Sequence, residues 1–412
     1  MKKISRKLDN TAKVFSLEEK KNKNNFRLSV LLKEEVDENI LKNALLKTLD
    51  KYPNYRVKLK TGFFWNYLSV NLKEPIVEED KEITFKNINL KKNQSFLFKV
   101  SYFQNKINLD IFHVLTDGKG ATIFLKEILY NYLDLKYELA SSNEEKTQDF
   151  DYSQDVYLKN ANKKLKCKNV SKRAFLIKEK IDLLNNKTYH YILDLERTKV
   201  ICKKNKVSIT EFLTAIYIYA IYKTIYDKTC KKDISVSVPI DLRSHYQVEA
   251  FSNFFTCMNI ECKFSKNKNI SFTKILREVH KDFKNKLNLE SIKSYLARDV
   301  KLGTNVAIEL VPLFIKKMFM KYMGKLVNQT TTTTLSNIGP IKVFERYKEY
   351  IDNIMVLVST GKFQKAKCTV CSYENNLTVT LNSSIVNNLL EKEFYRLLCK
   401  YIGNVRLEGN AI

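Results

Sequence analysis

The segment NLDIFHVLTDGKG, residues 108–120, ends an apolar, strand-like run on a histidine. In an alternating strand Leu109 and Ile111 share a face with His113, so this histidine stands where an inward-facing surface ends. Imidazole has an ordinary pKa near ~6.5 and can take a proton from an alcohol or an amine. The pattern makes His113 a candidate general base, while a buried structural histidine bonded to a backbone carbonyl is the alternative.

Asp117 and Gly118, which follow the strand, favour the catalytic interpretation. Asp117 supplies a carboxylate four residues after His113, and Gly118 removes a side chain from the turn. The sequence that follows, KGATIFLKEILYNYLDL, carries apolar residues at helical spacing. The pattern therefore predicts a strand, a tight turn and a helix around His113.

The elements that must position this turn mix strands and helices without a repeating βαβ order. FRLSVLL is strand-like, residues 36–49 have helical spacing before Pro53, and two hairpin-like stretches precede His113. The polar stretch 138–170 is the best linker candidate. We predict two αβ domains, 1–160 and 161–412.

The second half repeats this mixture. Residues 189–226 indicate a strand, a short helix and a long helix that opens with a capping box at Ser208 and Glu211. DISVSVPID alternates like a strand up to Pro239, and further β-rich sequence follows towards the C-terminus. Each domain is therefore expected to be a mixed, largely antiparallel sheet with flanking helices, an α/β (α+β) fold.

Composition narrows the class of protein. The net charge is +27, but lysine is spread along the chain and no nucleic-acid-binding motif accompanies it, so we expect no nucleic-acid partner. The densest basic run, residues 18–25, is interpreted as a solvated loop. A positive surface could still attract a phosphorylated cofactor or an acidic carrier protein.

Membrane-span, secretory-signal and cysteine patterns give little support to a membrane, secreted or metal-binding protein. No run of about 18 apolar residues indicates a membrane span, and the basic N-terminus lacks the apolar region of a secretory signal. The eight cysteines form no framework, and Cys368 and Cys371 lie three apart in a strand, on opposite faces. We expect a cytoplasmic protein without a metal site.

One basic, apolar segment allows three interpretations. VPLFIKKMFMKYMGKLV, residues 311–327, has the composition of a helix at a membrane surface. Because it is apolar on nearly every side, a core helix or a lid is favoured, and peripheral membrane contact stays open. Residues 63–65, FFW, fit the core or a substrate wall equally well.

Three segments together resemble the CoA-dependent acyltransferase superfamily, which includes chloramphenicol acetyltransferase, BAHD enzymes and peptide-synthetase condensation domains. HVLTDG matches its HxxxDG motif, residues 238–255 resemble its D-x-R segment with a Ser-Asn turn, and TLSNIGPI is similar to a Ser-Asn-x-Gly strand end. The residues that carry the resemblance are His113, Asp117 and Gly118; Arg243 and Asn253; Ser336, Asn337 and Gly339.

Two departures narrow the resemblance. Phe112 stands where condensation domains carry a first histidine, and no DFGWG motif of plant BAHD enzymes is present. The chain therefore looks most like stand-alone bacterial alcohol-acetyltransferase-like members.

The resemblance implies two chloramphenicol-acetyltransferase-like domains with a tunnel between them and His113 at its midpoint. The donor would be acyl-CoA or the acyl-phosphopantetheine of a carrier protein, with no permanently bound cofactor, and the acceptor a small-molecule alcohol or amine. Asp117 would orient the loop through an ion pair with Arg243, and Asn253 or the Ser336–Asn337–Gly339 strand end would contact substrate. A monomer is expected.

Two other functions stay open. One is a non-catalytic relative that binds an acyl carrier or a lipid, against which an intact His113 argues. The other is a basic membrane-surface or nucleic-acid-binding protein that relies on the +27 charge. Release of free thiol from a CoA thioester would favour the acyltransferase over both.

Overall fold

The computed structural model describes residues 5–17, 24–80, 85, 87–139, 155–162, 164–165, 172–264, 270–304 and 306–410. In chain order the strands are β1 Ser5–Lys7, β2 Asn25–Leu32, β3 Val57–Lys60, β4 Tyr67–Val70, β5 Val77–Glu79, β6 Phe98–Phe103, β7 Lys106–Phe112, β8 Lys187–Asp194, β9 Ile234–Asp241, β10 Phe255–Cys262, β11 Thr333–Pro340, β12 Ile351–Val358, β13 Ala366–Tyr373, β14 Asn376–Ser383 and β15 Arg406–Gly409.

The helices of the described residues are α1 Asn10–Phe15, α2 Glu38–Lys51, α3 Gly118–Tyr137, α4 Val156–Asn160, α5 Leu195–Lys204, α6 Ile209–Thr224, α7 Arg243–Tyr246, α8 Phe272–Lys286, α9 Leu289–Gly303, α10 Val306–Glu309, α11 Leu313–Asn328, α12 Glu345–Lys348 and α13 Leu389–Tyr401, with a 3-10 turn at Pro53–Tyr55.

Two large sheets organise the chain, and both are predominantly antiparallel. The first has five strands in the order β12-β2-β7-β6-β5, and the second has seven in the order β10-β9-β11-β13-β14-β8-β15. Strands β1, β4 and β3 form a small third sheet. This confirms the predicted α/β fold with two sheet-rich halves.

Each large sheet buries one face under helices because its strands alternate apolar and polar side chains. In β7 the side chains of Ile107, Leu109 and Ile111 enter the first core together with apolar residues of α3. The second core is built around α6, whose Ser208–Glu211 capping box forms as the sequence predicts. Helix α2 begins after the Asp37 cap and ends just before Pro53, also as predicted.

The C-terminal part of the chain completes the first sheet. Strand β12 pairs with β2 in antiparallel register, with Val356 opposite Leu28, and the chain then returns to the second sheet as β13. On β13 the side chain of Cys368 is buried in the second core and that of Cys371 in the first. The two faces of this strand therefore join the two halves, while the boundary at 160/161 stays a prediction.

The two segments predicted to be a linker and a solvated loop, residues 138–170 and 18–25, are only partly described by the structure. Much of the linker candidate 138–170 lies outside the described residues, but α4 within it is folded and Tyr157 is fully buried. Of the basic run 18–25, residues 18–23 lie outside the described residues, and Asn25 is a buried strand residue.

Strand β9 continues through Pro239 to Asp241, beyond the predicted end.

Pro239 is tolerated inside β9 because of its position in the sheet. It is paired with Cys257 of β10, whereas β11 pairs with β9 only at Val236 and Ser237. Proline lacks an amide hydrogen, so it fits a stretch of strand with one partner instead of two.

No helix among the described residues is long and apolar enough to cross a membrane.

Candidate active site

The HxxxDG segment forms the predicted strand, turn and helix. Strand β7 ends at Phe112, and the His113 amide donates to the carbonyl oxygen of Asn24 at 2.9 Å. Asp117 is the N-cap of α3, and its Oδ1 accepts from the amides of Lys119 and Gly120 at 3.1 and 3.2 Å. Capping satisfies amides that a helix start leaves unbonded, which explains why an aspartate stands here.

Asp117 also binds the second half of the chain. The Arg243 Nη2 lies 2.9 Å from both Asp117 oxygens, and the Phe254 amide donates to Asp117 Oδ2 at 2.9 Å. The carboxylate is buried and the guanidinium nearly so, with 7% and 14% of the side chains exposed. The carboxylate is thus turned away from the imidazole and ties the loop to the Ser-Asn turn.

Arg243 holds several groups at once. Its Nη1 donates to Asp241 at 2.8 Å, and its Nε and Nη2 donate to the carbonyl oxygens of Ala250 and Ser252 at 2.8 and 2.9 Å. Burial alone would lower its pKa, but Asp117 and Asp241 raise the pKa above the ordinary value. The planar fork of arginine suits this branched arrangement, which a lysine ammonium could not reproduce.

Close packing requires a glycine at position 120 and brings the flexible end of Ile338 against Gly118. A Cβ on Gly118 would lie 2.6 Å from Cδ1 of Ile338, and one on Gly120 would lie 2.4 Å from the carbonyl oxygen of Phe251. The Thr116 hydroxyl also donates to that carbonyl oxygen. The start of α3 is therefore clamped between two segments of the C-terminal half.

The His113 ring lies among aromatic side chains from three elements. Ring centroids of Phe15, Phe26 and Phe255 are 4.8, 4.7 and 5.5 Å from that of the imidazole. Phe15 belongs to α1, Phe26 to β2 and Phe255 to β10, so both halves contribute. His113 itself is partly exposed.

Asn253 sets the protonation of the imidazole. Its Nδ2 donates to the carbonyl oxygen of His113 at 3.0 Å and to Asp9 Oδ2 at 3.2 Å, so its Oδ1 is the atom that lies 3.1 Å from His113 Nδ1. An amide oxygen can only accept, so Nδ1 carries the proton and Nε2 has a free lone pair. The network thus assigns the tautomer that a general base needs.

The environment also keeps the ring neutral. Burial lowers the pKa of His113 below its ordinary value of 6.5, although Asp117 and the hydrogen bond with Asn253 oppose this effect. The nearby positive charge of Lys367 lowers the pKa further. A neutral imidazole at physiological pH can accept a proton.

Asp9 is the third member of this network. It caps α1 by accepting from the Ala12 amide at 2.7 Å, and its other oxygen accepts from Asn253. Burial raises the pKa of Asp9 to about 7, against the lowering effect of these two hydrogen bonds. Asp9 therefore titrates near neutral pH, two hydrogen bonds away from the imidazole.

The residues predicted to contact substrate differ in their burial and in their hydrogen bonds. Asn253 is completely buried and uses both amide hydrogens in bonds to Asp9 and to the carbonyl oxygen of His113, so a substrate contact there stays a prediction. Asn337 donates to Thr210 Oγ1 at 2.9 Å and accepts from the Gly339 amide at 2.8 Å, so its side chain shapes the strand end. Ser336 is partly exposed.

Gly339 occupies a backbone conformation that favours glycine. Its φ is +82°, next to a register shift between Asn337 and Gly339 in the pairing of β11 with β13. This bulge directs Ile338 against Gly118. The Ser-Asn-x-Gly strand end thus supports the HxxxDG turn through Ile338.

Asp9 and Phe15 are site residues that were not predicted, because the basic N-terminal sequence was interpreted only with respect to targeting. The signal that could have found them is the sequence DNTAKVF, in which an aspartate precedes a short helical pattern. Nothing in the sequence alone could show that α1 would pack beside His113.

Comparison with known families supports the resemblance in the C-terminal part. Residues 253–387 match the WS/DGAT C-terminal domain, an acyltransferase domain, and the match begins at Asn253. No curated protein matches the sequence significantly.

Solved structures match nearly the whole chain. Polyketide synthase associated protein 5 from Mycobacterium tuberculosis has a TM-score of 0.62 and 13% identity, over 97% of this chain and 98% of that one. Trichothecene 15-O-acetyltransferase from Fusarium sporotrichioides has a TM-score of 0.63 and 10% identity, over 97% and 94%. The starter condensation domain of rhizomide synthetase, bound to C8-CoA, has a TM-score of 0.61 and 11% identity, over 98% of each chain.

Identities this low show a shared fold and not a shared substrate. The chain has the two-domain fold of the CoA-dependent acyltransferase and condensation-domain superfamily, with a WS/DGAT C-terminal domain match over residues 253–387.

Proposed function

We propose that the protein transfers an acyl group from a CoA or carrier-protein thioester to an alcohol or an amine, with His113 as general base. The observation that carries the proposal is the hydrogen-bond pattern of Asn253, which leaves Nε2 of a neutral His113 unprotonated. The fold and the WS/DGAT match support acyl transfer in general.

The chemistry is a direct transfer. His113 Nε2 takes the proton of the acceptor hydroxyl or amine as its oxygen or nitrogen attacks the thioester carbonyl carbon. The tetrahedral intermediate collapses, the carbon–sulfur bond breaks, and the imidazolium returns the proton to the thiolate. Atoms and charge balance without a covalent enzyme intermediate, and the products are the acylated acceptor and a free thiol.

The imidazolium formed during this step is stabilised from one side. Nδ1–H points at Asn253 Oδ1, and Asp9 holds the amide in that orientation. Asp117 contributes a favourable charge without touching the substrate. In this arrangement Asn253, Asp9 and Asp117 are positioning residues, and His113 is the catalytic one.

The oxyanion of the intermediate needs a hydrogen-bond donor. Asn253 uses both amide hydrogens elsewhere, but Asn337 donates only one of its two, to Thr210, so the sequence-predicted candidates that are left are Asn337, through its second amide hydrogen, and Ser336. The partly exposed Ser336 hydroxyl on β11 is compatible with this role.

A CoA thioester fits the charge of the chain better than an uncharged donor. The net charge is +27, and the Lys367 charge acts on His113. Phosphates of a CoA molecule would be attracted to such a surface. The starter condensation domain of rhizomide synthetase, which has a similar fold, was solved in complex with C8-CoA.

The test is release of free thiol from acyl-CoA donors of increasing chain length, with a panel of alcohols and amines as acceptors. We expect acceptor-dependent thiol release with formation of the acylated acceptor, seen by mass spectrometry. Thiol release that never depends on an acceptor would contradict transfer.

The pH dependence of kcat/KM should separate His113 from Asp9. The base must be neutral, so activity falls when the pH drops through the His113 pKa, below 6.5, and stays high above it. Ionisation of Asp9 near pH 7 adds a negative charge that favours the imidazolium, so wild type should show a second, smaller rise there.

Asp9→Asn removes the second rise. The single side-chain oxygen of asparagine cannot both cap α1 and accept from Asn253, but Asn253 still donates to the carbonyl oxygen of His113, so the first rise should remain. Asparagine caps a helix about as well as aspartate, so α1 should persist in this variant. The measurement is kcat/KM from pH 5 to 9 for both proteins. An identical profile in the two would show that Asp9 does not act on the imidazole.

A further inference from the structure

One helix exposes an unusual amount of apolar surface. On α11 the side chains of Phe314 and Met318 are 69% and 73% exposed, and Ile315, Phe319 and Tyr322 are exposed as well. These positions recur at spacings of three and four, so they form one face of the helix. We call these five side chains the α11 face.

The opposite side of α11 is anchored to the protein. Leu313 is buried and its amide donates to the carbonyl oxygen of Phe63 at 2.8 Å. Lys316 is buried, donates to the carbonyl oxygen of Phe64 at 2.9 Å, and lies 3.8 Å over the Trp65 ring. The helix is therefore not a core element, and its exposed face is held outward.

Two neighbouring aromatic side chains extend the α11 face. Phe63 and Phe64 are exposed on the loop that anchors the helix, and Leu310 is exposed just before it. This placement excludes the interpretation of residues 63–65 as core. Contiguous apolar surface of this kind marks an interaction site.

The positive charge of α11 indicates which kind of partner binds the α11 face. The sequence of α11, LFIKKMFMKYMGKLVN, contains four lysines and no acidic residue, and the Lys317 side chain is exposed beside the α11 face. Glu309 of α10, just before α11, lies 3.8 Å from Lys13. Two copies of this face would bring two Lys317 ammonium groups together, and a neutral apolar partner would leave the Lys317 charge without an opposite charge.

We propose that the α11 face docks the protein on the surface of an anionic lipid bilayer. Apolar side chains of the α11 face would enter the boundary between headgroups and acyl chains, while the exposed Lys317 binds a headgroup phosphate. A helix with aromatic and aliphatic residues on one exposed face and an exposed lysine beside it has the composition such binding requires.

The docking surface lies close to the candidate active site. Trp65, which Lys316 covers, is also approached by Lys13 of α1 at 5.3 Å, and Phe15 of the same helix touches the His113 ring. Helix α1 therefore connects the α11 face to the imidazole. The docking itself does not depend on the proposed acyl transfer.

The experiment is sedimentation of the full chain with vesicles of phosphatidylcholine alone or with phosphatidylglycerol added. We expect binding to the anionic vesicles that weakens as salt is raised. Phe314→Ser/Met318→Ser should lower the partition coefficient about tenfold or more, since binding scales with buried apolar area. Lys317→Glu should lower it by about fivefold or more.

The chain offers a matched control in Leu184 and Val200. Both side chains are similarly exposed, at 76% and 66%, but they lie outside the α11 face. Leu184→Ser/Val200→Ser should bind vesicles as wild type does. Thiol release from a soluble acyl-CoA, measured separately, should be unchanged in every variant because none of these residues touches His113.

Three outcomes would overturn the proposal. Wild type could fail to bind anionic vesicles, or the control variant could lose binding as much as Phe314→Ser/Met318→Ser. Sedimentation velocity could instead show a wild-type dimer that the α11-face variant converts to a monomer, which would assign the face to a second copy of the chain.

Discussion

Replacing His113 by alanine should lower kcat by about 10²–10⁴-fold, the range typical for removal of a general base. The reason is specific to this ring, because Asn253 fixes Nδ1 as the protonated nitrogen and leaves Nε2 as the base. Free thiol released from an acyl-CoA in the presence of an acceptor is the measurement.

The loss should not come from unfolding. His113 is partly exposed and makes one described side-chain hydrogen bond, so its removal should cost about 1 kcal/mol of stability. His113→Gln fills more of the space among the three phenylalanine rings and still offers a donor to Asn253. Both variants should be inactive and folded.

His245 provides the matched control. This histidine is exposed on α7, and its ring is not among the described rings that contact His113. His245→Ala should retain wild-type turnover. If His113→Ala retains it too, His113 is not the base and the direct-transfer mechanism is wrong.

Local sequence patterns predicted the elements around the site well. The alternation in β7, the Asp-Gly turn and the helical spacing after it are short-range signals, and α3 begins where they indicate. The capping box of α6 is equally local and also forms. Short-range chemistry, in which each residue satisfies its own backbone neighbours, is readable from a single sequence.

Strand pairings and hydrogen bonds between residues far apart in the chain could not be predicted from the sequence. Strand β12 is β-rich in sequence, but nothing in its residues says that it joins β2 instead of its sequence neighbour β13. The orientation of Asn253 likewise depends on Asp9, 244 residues away. Such contacts are selected by the packing of the whole molecule, not by local propensity.

Helix α11 shows that a local apolar pattern does not determine how much of a helix is buried. Its sequence is apolar on nearly every side, which favoured a buried helix or a lid, yet one face is exposed. Periodicity reports which residues could be buried, and the neighbouring elements decide how many are. Here the loop at Phe63 and Phe64 covers only the face that contains Leu313 and Lys316.

The ion pair between Asp117 and Arg243 should give the largest stability effects. Both side chains are largely buried, so Asp117→Ala should lower the free energy of unfolding by about 3–5 kcal/mol. It removes the cap of α3 and leaves the Phe254 amide without its acceptor. Activity should fall with it, because the loop that carries His113 loses its anchor.

Arg243→Ala should cost somewhat less than Asp117→Ala. The stranded Asp117 carboxylate would keep its three amide donors at Lys119, Gly120 and Phe254, whereas the carbonyl oxygens of Ala250 and Ser252 would lose theirs. A more exposed pair serves as the control. Lys99 and Glu78 lie 2.6 Å apart with 23% and 54% of their side chains exposed, and Glu78→Ala should change stability by only about 0–1 kcal/mol.

The double variant Asp117→Ala/Arg243→Ala decides whether the two groups act as a pair. Once Asp117 is gone, Arg243 holds only Asp241 and two carbonyl oxygens, so removing it no longer strands a buried carboxylate. The loss in the double variant should therefore be smaller than the sum of the single losses by about 1–3 kcal/mol. Urea unfolding of the four proteins gives this coupling energy. A coupling near zero would mean that the 2.9 Å contacts contribute nothing as a pair, and that Asp117 acts only as an acceptor for the amides of Lys119, Gly120 and Phe254.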